Sequence, residues 1–145
     1  MKLKPEIAQK YCVIAKNINL PENIHMAFVL GSGMSALFDN MNILQRISYN
    51  ELFSINENEL PGHTRELLIL SKNEKIFLAF NGRFHYYEGV SIESICSQVL
   101  ICHALSINSI LFLNAAGGIN QFCKTGDIMI IRDIIQLINV HFGSL

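Results

Sequence analysis

The sequence has no tryptophan, only three prolines in 145 residues, and no two cysteines in a C-x-x-C spacing. Each absence excludes something. Cys12, Cys96, Cys102 and Cys123 are scattered, and no His/Cys cluster has zinc spacing. Neither a zinc module nor a dithiol redox centre is expected, and the plain reading is buried free thiols in a reducing cytosol. Charge is scarce as well. Asp, Glu, Lys and Arg make up 16% of the chain, 11 basic against 12 acidic, for a net charge of −1 with the five histidines neutral. That excludes a broad basic face for nucleic acid or anionic lipid. Long apolar runs are missing too. The greasiest stretch, 92–113, is interrupted by Glu93, Gln98, His103, Asn108 and several serines, far short of the ~18 apolar residues of a membrane span. Residues 1–6 contain no apolar core of a secretory signal, so a cytoplasmic location is expected.

What is present is apolar side chain: half of all residues, which excludes intrinsic disorder. A chain of this length buries about 70% of the surface its unfolded form exposes. One domain over 1–145 is expected. So rich an apolar content suits a parallel sheet buried on both faces, or a piece of something larger with an uncovered face.

Hydrophobic periodicity predicts a helix over 5–17, with Pro5 in the first turn and Ile7, Tyr11 and Ile14 on one face. A solidly apolar strand over 26–30 runs directly into Gly31-Ser32-Gly33-Met34-Ser35-Ala36. Further strands are predicted over 43–49, 67–70 and 75–80. A second helix is predicted over 91–106. Ser91 is its N-cap, Glu93 sits at its positive end, and Ile92, Ile95, Val99 and Cys102 form its stripe. A strand over 109–113 leads into Asn114-Ala115-Ala116-Gly117-Gly118, and last strands are expected over 125–131 and 134–138. No repeat, low-complexity tract or linker is visible. Strands joined by a helix, two of them ending in small-residue loops, give an α/β class with a mixed, mostly parallel central sheet and flanking helices. The 134–138 stretch reads as an interior strand with no helix after it, which suggests a truncated or obligately assembled chain.

Four stretches carry chemistry. The loop 31–36 fits G-x-G-x-x-[G/A] after a strand, with Glu51 20 residues past Gly31, the dinucleotide-binding pattern. However, Asp39-Asn40-Met41-Asn42 interrupts the helix that pattern requires. A tight turn is one alternative. A phosphate loop of another type is favoured, because the Ser32 hydroxyl between two glycines can donate to an anion. In 81–89, Asn-Gly-Arg-Phe-His-Tyr-Tyr-Glu-Gly, Arg83 and His85 alternate with Phe84, so an extended segment turns both to one face. The guanidinium offers a fork for phosphate or carboxylate, and the imidazole a donor whose charge can respond. Tyr87 shares that parity and could lie against a sugar, while Glu88 could hold Arg83 or His85. The plain alternative is a solvated strand end with an Arg–Glu pair. Pro61-Gly62-His63 is a loop that says little alone. The small side chains of 114–118 after a buried strand imply close approach of a ligand or another backbone.

Taken in order, these stretches resemble the trimeric branch of the purine nucleoside phosphorylase family. Gly31-Ser32-Gly33 looks like its phosphate loop, and Pro61-Gly62-His63 like its P-G-H motif. Gly82-Arg83-Phe84-His85-Tyr86-Tyr87-Glu88-Gly89 matches G-R-x-H-x-Y-E-G at every fixed position. Asn114-Ala115-Ala116-Gly117-Gly118-Ile119-Asn120, followed by Gly126-Asp127-Ile128-Met129, resembles N-A-A-G-G-[LI]-N…G-D-I-M. Methylthioadenosine phosphorylases carry other residues at these motifs. The resemblance implies cleavage of purine nucleosides by inorganic phosphate to free base and ribose 1-phosphate. It implies no metal or organic cofactor, no nucleic-acid or membrane partner, and a homotrimer in the family. Carried over by motif, Ser32, His63, Arg83, Phe84, His85 and Ala115 are phosphate-binding, Tyr87, Ala115 and Ala116 nucleoside-binding, and His85 and Glu88 catalytic.

The sequence also departs from the family pattern. Arg65 replaces the glycine usual after P-G-H-x, Ser35 replaces the second loop glycine, and D-H-I-N-L appears as Asp133-Ile134-Ile135-Gln136-Leu137. The tail 138–145 does not resemble the family's continuation. The purine-gripping half of the family follows that point. The expectation is a phosphate- and ribose-binding half that is inactive alone; a non-catalytic phosphate-binding or assembly fragment is the alternative.

Overall fold

The computed structural model describes residues 3–21, 23–31, 33–53 and 65–137. The opening helix α1, Pro5–Asn17, carries proline in its first turn and buries Tyr11 and Ala15. Strand β1, Ile24–Leu30, follows, and then a 3-10 turn over Ser35–Phe38. Strand β2, Asn42–Ser48, passes directly into the short helix α2, Tyr49–Phe53. Strands β3, Glu66–Lys72, and β4, Lys75–Asn81, form a hairpin. Its two turn residues, Asn73 and Glu74, have φ of 49° and 62°, the left-handed pair that matches strand twist in a tight hairpin. After a 3-10 turn over Tyr86–Glu88 come helix α3, Ile92–Ala104, and strand β5, Ile110–Leu113. Ser91 caps α3, its Oγ accepting from the Ser94 N–H at 3.0 Å.

The five strands form one sheet in the order β2-β3-β4-β1-β5. β1 pairs in parallel with β4 and with β5, while β2–β3 and β3–β4 are antiparallel. The sheet is mixed, with helices against it, as the α/β pattern predicts. Period-two alternation sorts its side chains. Ala27, Val29, Leu67, Ile69, Leu78 and Phe80 join the core beneath the helices. Leu30, Leu68, Leu70 and Ala79 face the other way, where Phe38 of the 3-10 turn covers them. α1 and α3 lie together on the first face, tied at the surface by Lys10 Nζ to Glu93 at 2.6 Å.

Three expectations need correction. The buried residues of α3 are Ser97, Gln98, Leu100, Ile101 and Cys102, whereas Val99 is exposed. The apolar stripe inferred from Ile92, Ile95, Val99 and Cys102 is therefore rotated, because two polar residues occupy the inward face. The strands expected over 125–131 and 134–138 do not form among the described residues. Residues 114–137 carry no helix or strand and are exposed. Apolar content alone does not make a strand: the backbone needs a neighbouring ladder, and no described strand lies along the outer edge of β5. The rest of the 134–138 stretch and the tail 138–145 lie outside the described residues. Finally, not all thiols are buried. Cys12 and Cys123 are exposed, Cys96 is half-buried, and only Cys102 is enclosed.

Burial pushes the Cys102 thiol up from 9.0 to about 12 and raises Cys96 as well. At neutral pH, Cys12 and Cys123 will react with a thiol reagent in the native protein, Cys96 more slowly, and Cys102 only on unfolding. Labelling followed by peptide mass analysis checks the order. The linkage has a definite sign. The folded state holds the Cys102 proton more tightly, so that contribution to stability is complete below pH 9 and is lost as pH rises through about 12.

Candidate active site

The three parallel strands end side by side. Leu30 is opposite Asn81 on one neighbour and Leu113 on the other. The segments that leave β1, β4 and β5 therefore start within about 10 Å of one another, at strand spacings near 4.8 Å. The chain leaves β1 toward the Phe38 face and leaves β4 toward the helical face, where Phe84 is buried. In such sheets the carboxyl ends of adjacent parallel strands whose chains leave to opposite faces are the usual ligand position.

Backbone contact joins the first and last of these loops. The Gly31 N–H donates to the Leu113 carbonyl at 2.6 Å. A Cβ on Gly31 would stand 3.0 Å from Asn114 Cβ and 3.1 Å from the Leu113 oxygen, so this close approach needs glycine. Asn114 thus sits against Gly31, and Ala115 and Ala116 follow it in the chain, both exposed. Ser32 and His63 lie outside the described residues.

The middle loop, 82–89, is pinned at several points. Gly82 leaves β4 with φ of 92°. Its carbonyl accepts from the Tyr49 hydroxyl at 2.8 Å and from the Gln98 amide at 2.8 Å. The Gln98 amide also donates to the Tyr49 oxygen at 2.8 Å, closing a triangle. Burial pushes the Tyr49 phenol well above its ordinary range, so it remains a donor. Phe84 plugs into the core beside Tyr49 and Phe53, with ring centroids at 5.6 Å and 6.0 Å. The Arg65 guanidinium carbon lies 4.9 Å from its ring centroid. With Phe84 turned inward, Arg83 and His85 flank it half-buried, as the alternation predicts.

The alternation stops at His85. Tyr86–Glu88 is a 3-10 turn, and it brings Tyr87 back over His85, with ring centroids at 4.9 Å and planes 12° apart. Glu88 does not reach toward Arg83. Its carboxylate accepts from Arg65 at 2.5 Å and from the His85 backbone N–H at 3.2 Å. This ion pair is largely enclosed, with 15% and 10% side-chain exposure. Among the described residues nothing forms an ion pair with Arg83, which leaves its guanidinium available to an anion. Phe84, grouped by motif with the phosphate ligands, has its ring in the core, so only its main chain faces the loop side.

The dinucleotide reading of 31–36 fails on the fold. No α-helix starts at the glycine loop, only the four-residue 3-10 turn. Glu51 lies exposed on α2, its N–H donating to Ser48 Oγ at 3.2 Å. Tyr49, Arg65 and Gln98 are the residues that motif reading passed over as site components. The one signal available was chemical: Gln98 is an amide in the most apolar helix of the chain, and buried amides demand partners.

Glu88→Gln should destabilise the protein by about 2–3 kcal/mol, because it removes the carboxylate from a nearly buried guanidinium. Arg65→Met combined with Glu88→Gln should cost less than Glu88→Gln alone, since no unmatched charge is left inside. Urea melts of the two proteins check the order.

Among the described residues no cluster of His, Cys, Asp and Glu could hold a metal ion, and no helix is long and apolar enough to cross a membrane. Residues 27–144 match the model of the phosphorylase superfamily. Purine nucleoside phosphorylase 1 of Bacillus subtilis (strain 168) is 32% identical over 123 residues, covering 85% of this chain and 45% of that protein. Purine nucleoside phosphorylase of Mus musculus is 35% identical over 112 residues, 77% of this chain and 39% of that one. In three dimensions the chain resembles isoform 2 of the Schistosoma mansoni enzyme, solved with cytosine and ribose-1-phosphate. The TM-score is 0.67 at 28% identity, over 85% of this chain and 43% of that one. A second Schistosoma mansoni phosphorylase structure, with acetate, gives a TM-score of 0.70 at 24% identity over 85% of this chain and 45% of that one, a likeness of fold. The chain spans less than half the length of these relatives. The match over 27–144, on a sheet whose parallel strand ends gather the motif loops, shows that the chain belongs to the phosphorylase superfamily, with purine nucleoside phosphorylases as its relatives.

Proposed function

We propose that this chain carries the phosphate- and ribose-binding half of a purine nucleoside phosphorylase reaction. The observation that carries the reading is the half-buried Arg83 guanidinium, without an ion pair among the described residues, on a loop that starts beside the joined Gly31 and Asn114 loops. Phosphate would be held by Arg83, by His85, by the main chain at Phe84 and Ala115, and by Ser32 and His63. Tyr87, stacked on His85 and exposed, would lie against the ribose, and the small side chains of Ala115 and Ala116 would leave room for the nucleoside. Glu88 supports His85 through its backbone N–H.

In the reaction a phosphate oxygen forms a bond to the anomeric carbon as the bond from that carbon to the purine nitrogen breaks. The bonding pair leaves with the base. An anion held beneath a sugar that gains positive charge stabilises the transition state, and fixed orientation supplies much of the remainder. Phosphate is the co-substrate, and the step calls for no metal or organic cofactor. Leaving-group activation needs donors on the purine, and the four motifs provide none, so turnover by this chain alone is not expected. Such chemistry suits a cytoplasmic protein of purine metabolism.

Two measurements test the reading. The purified chain should release no hypoxanthine from inosine and phosphate in a xanthine oxidase-coupled assay, and clear turnover would overturn the half-site assignment. Inorganic phosphate should nevertheless raise the melting temperature; at 100 times the dissociation constant the gain is about 2.7 kcal/mol. Arg83→Met should abolish that rise. Equal stabilisation of both proteins would remove Arg83 from the site.

A further inference from the structure

We infer that Gln98 is a positioning residue for the anion-binding loop, acting with Tyr49 through the Gly82 carbonyl on Arg83 and His85. The inference rests on the phosphate reading above for what the loop binds, but its geometry stands apart from it. Gln98 is 3% exposed and lies on the inward face of α3, where an apolar residue would pack without cost to the helix. An amide there must be satisfied, and both of its described partners belong to one point, the Tyr49 oxygen and the Gly82 carbonyl, each at 2.8 Å.

That point is where the loop direction is set. Gly82 has φ of 92°, outside the β4 ladder, and a rotation of its peptide plane would swing the next residue, Arg83, away from the strand ends. Two donors on one carbonyl oxygen, from a phenol and an amide on different elements, oppose that rotation. The second fixed point, Phe84 in the core, then leaves Arg83 little freedom except in its side chain. Gln98 touches neither Arg83 nor His85 in any described contact, so its effect on them is indirect. Misplacement of a recognition group by about 1 Å is costly, which is why a residue that fixes its backbone matters to binding.

The test uses the whole 145-residue protein and two shape-preserving variants, Gln98→Met and Tyr49→Phe, which each remove one donor and keep the packing. Ile101→Val, from the same helix, is the control for general loosening of α3. Phosphate titration by 31P NMR and the ring-proton resonances of His85 and Tyr87 without phosphate are the readouts. Gln98→Met should weaken phosphate binding by about tenfold and shift both rings' resonances, with Tyr49→Phe changing in the same sense and Ile101→Val leaving both readouts unmoved. If Gln98→Met fails to fold, Tyr49→Phe carries the comparison. If the unmodified protein shows no phosphate response, the anion reading falls, and the positioning role is judged on the ring resonances alone. Resonances that stay in place in both donor variants, or that move equally in Ile101→Val, overturn the inference.

Discussion

The Gly82 carbonyl is the point on which the candidate site depends. A strand that ends at Asn81 has to hand its chain to a loop that turns away, and the first peptide of that loop has lost its ladder partner. Here the orphaned acceptor is satisfied from two directions, by Tyr49 where β2 becomes α2 and by Gln98 in the middle of α3. Three distant segments therefore agree on one atom. An arrangement of this kind is sensitive to the loss of either donor, because a partly satisfied polar network is worse than none. It is also directional in a way that apolar packing is not, and direction is what the proposed anion-binding role of the loop needs.

The two arginines near this loop are treated differently, and their chemistry follows from the difference. Arg65 is enclosed, matched by Glu88 and laid over the Phe84 ring. Its charge is spent on the fold, and an Arg at this position has a carboxylate waiting for it. Arg83, immediately before Phe84 in the chain and on the loop side, has no ion-pair partner among the described residues. Arg65 is matched by Glu88 and Arg46 by Glu66, whereas Arg83 has no such carboxylate among the described residues. The arrangement answers the question raised by the glycine-to-arginine departure at position 65: the larger residue fits because it stacks on an aromatic ring and finds Glu88, rather than by filling an empty space.

Much of the scaffold was legible because it depends on local pattern. Pro5, the Ser91 cap and the solid apolar runs of β1 and β3 each carry one physical instruction, and the structure follows them. The alternation of Arg83, Phe84 and His85 was readable for the same reason. What was not readable depends on long-range pairing. The stripe assigned to α3 assumed that every inward residue is apolar, and Ser97 with Gln98 breaks that assumption. The turn that returns Tyr87 onto His85 replaces strand parity with 3-10 geometry, and nothing in the alternation marks the change. The segments 125–131 and 134–138 read as strands since their residues have strand character, but pairing is a property of two stretches of backbone, and a sequence window contains only one.

The same distinction divides the site into a firm part and a lightly held part. Loop 82–89 is fixed by residues 49, 53, 65 and 98 and by the core beneath Phe84, all on the helical face of the sheet. The loop at Asn114 and Ala115 depends on much less: four paired positions of β5 along β1 and the Gly31 N–H to Leu113 bond, with exposed chain on its far side. Local stability scales with such contacts, so β5 and the loop after it are the less firmly held part of the candidate site. In Leu111 and Phe112, 43% and 52% exposed, β5 also carries apolar surface that none of the described segments covers. Loop 82–89, with Arg83 and His85 on it, is therefore held by residues that all precede β5, and its described contacts draw on nothing after Leu113.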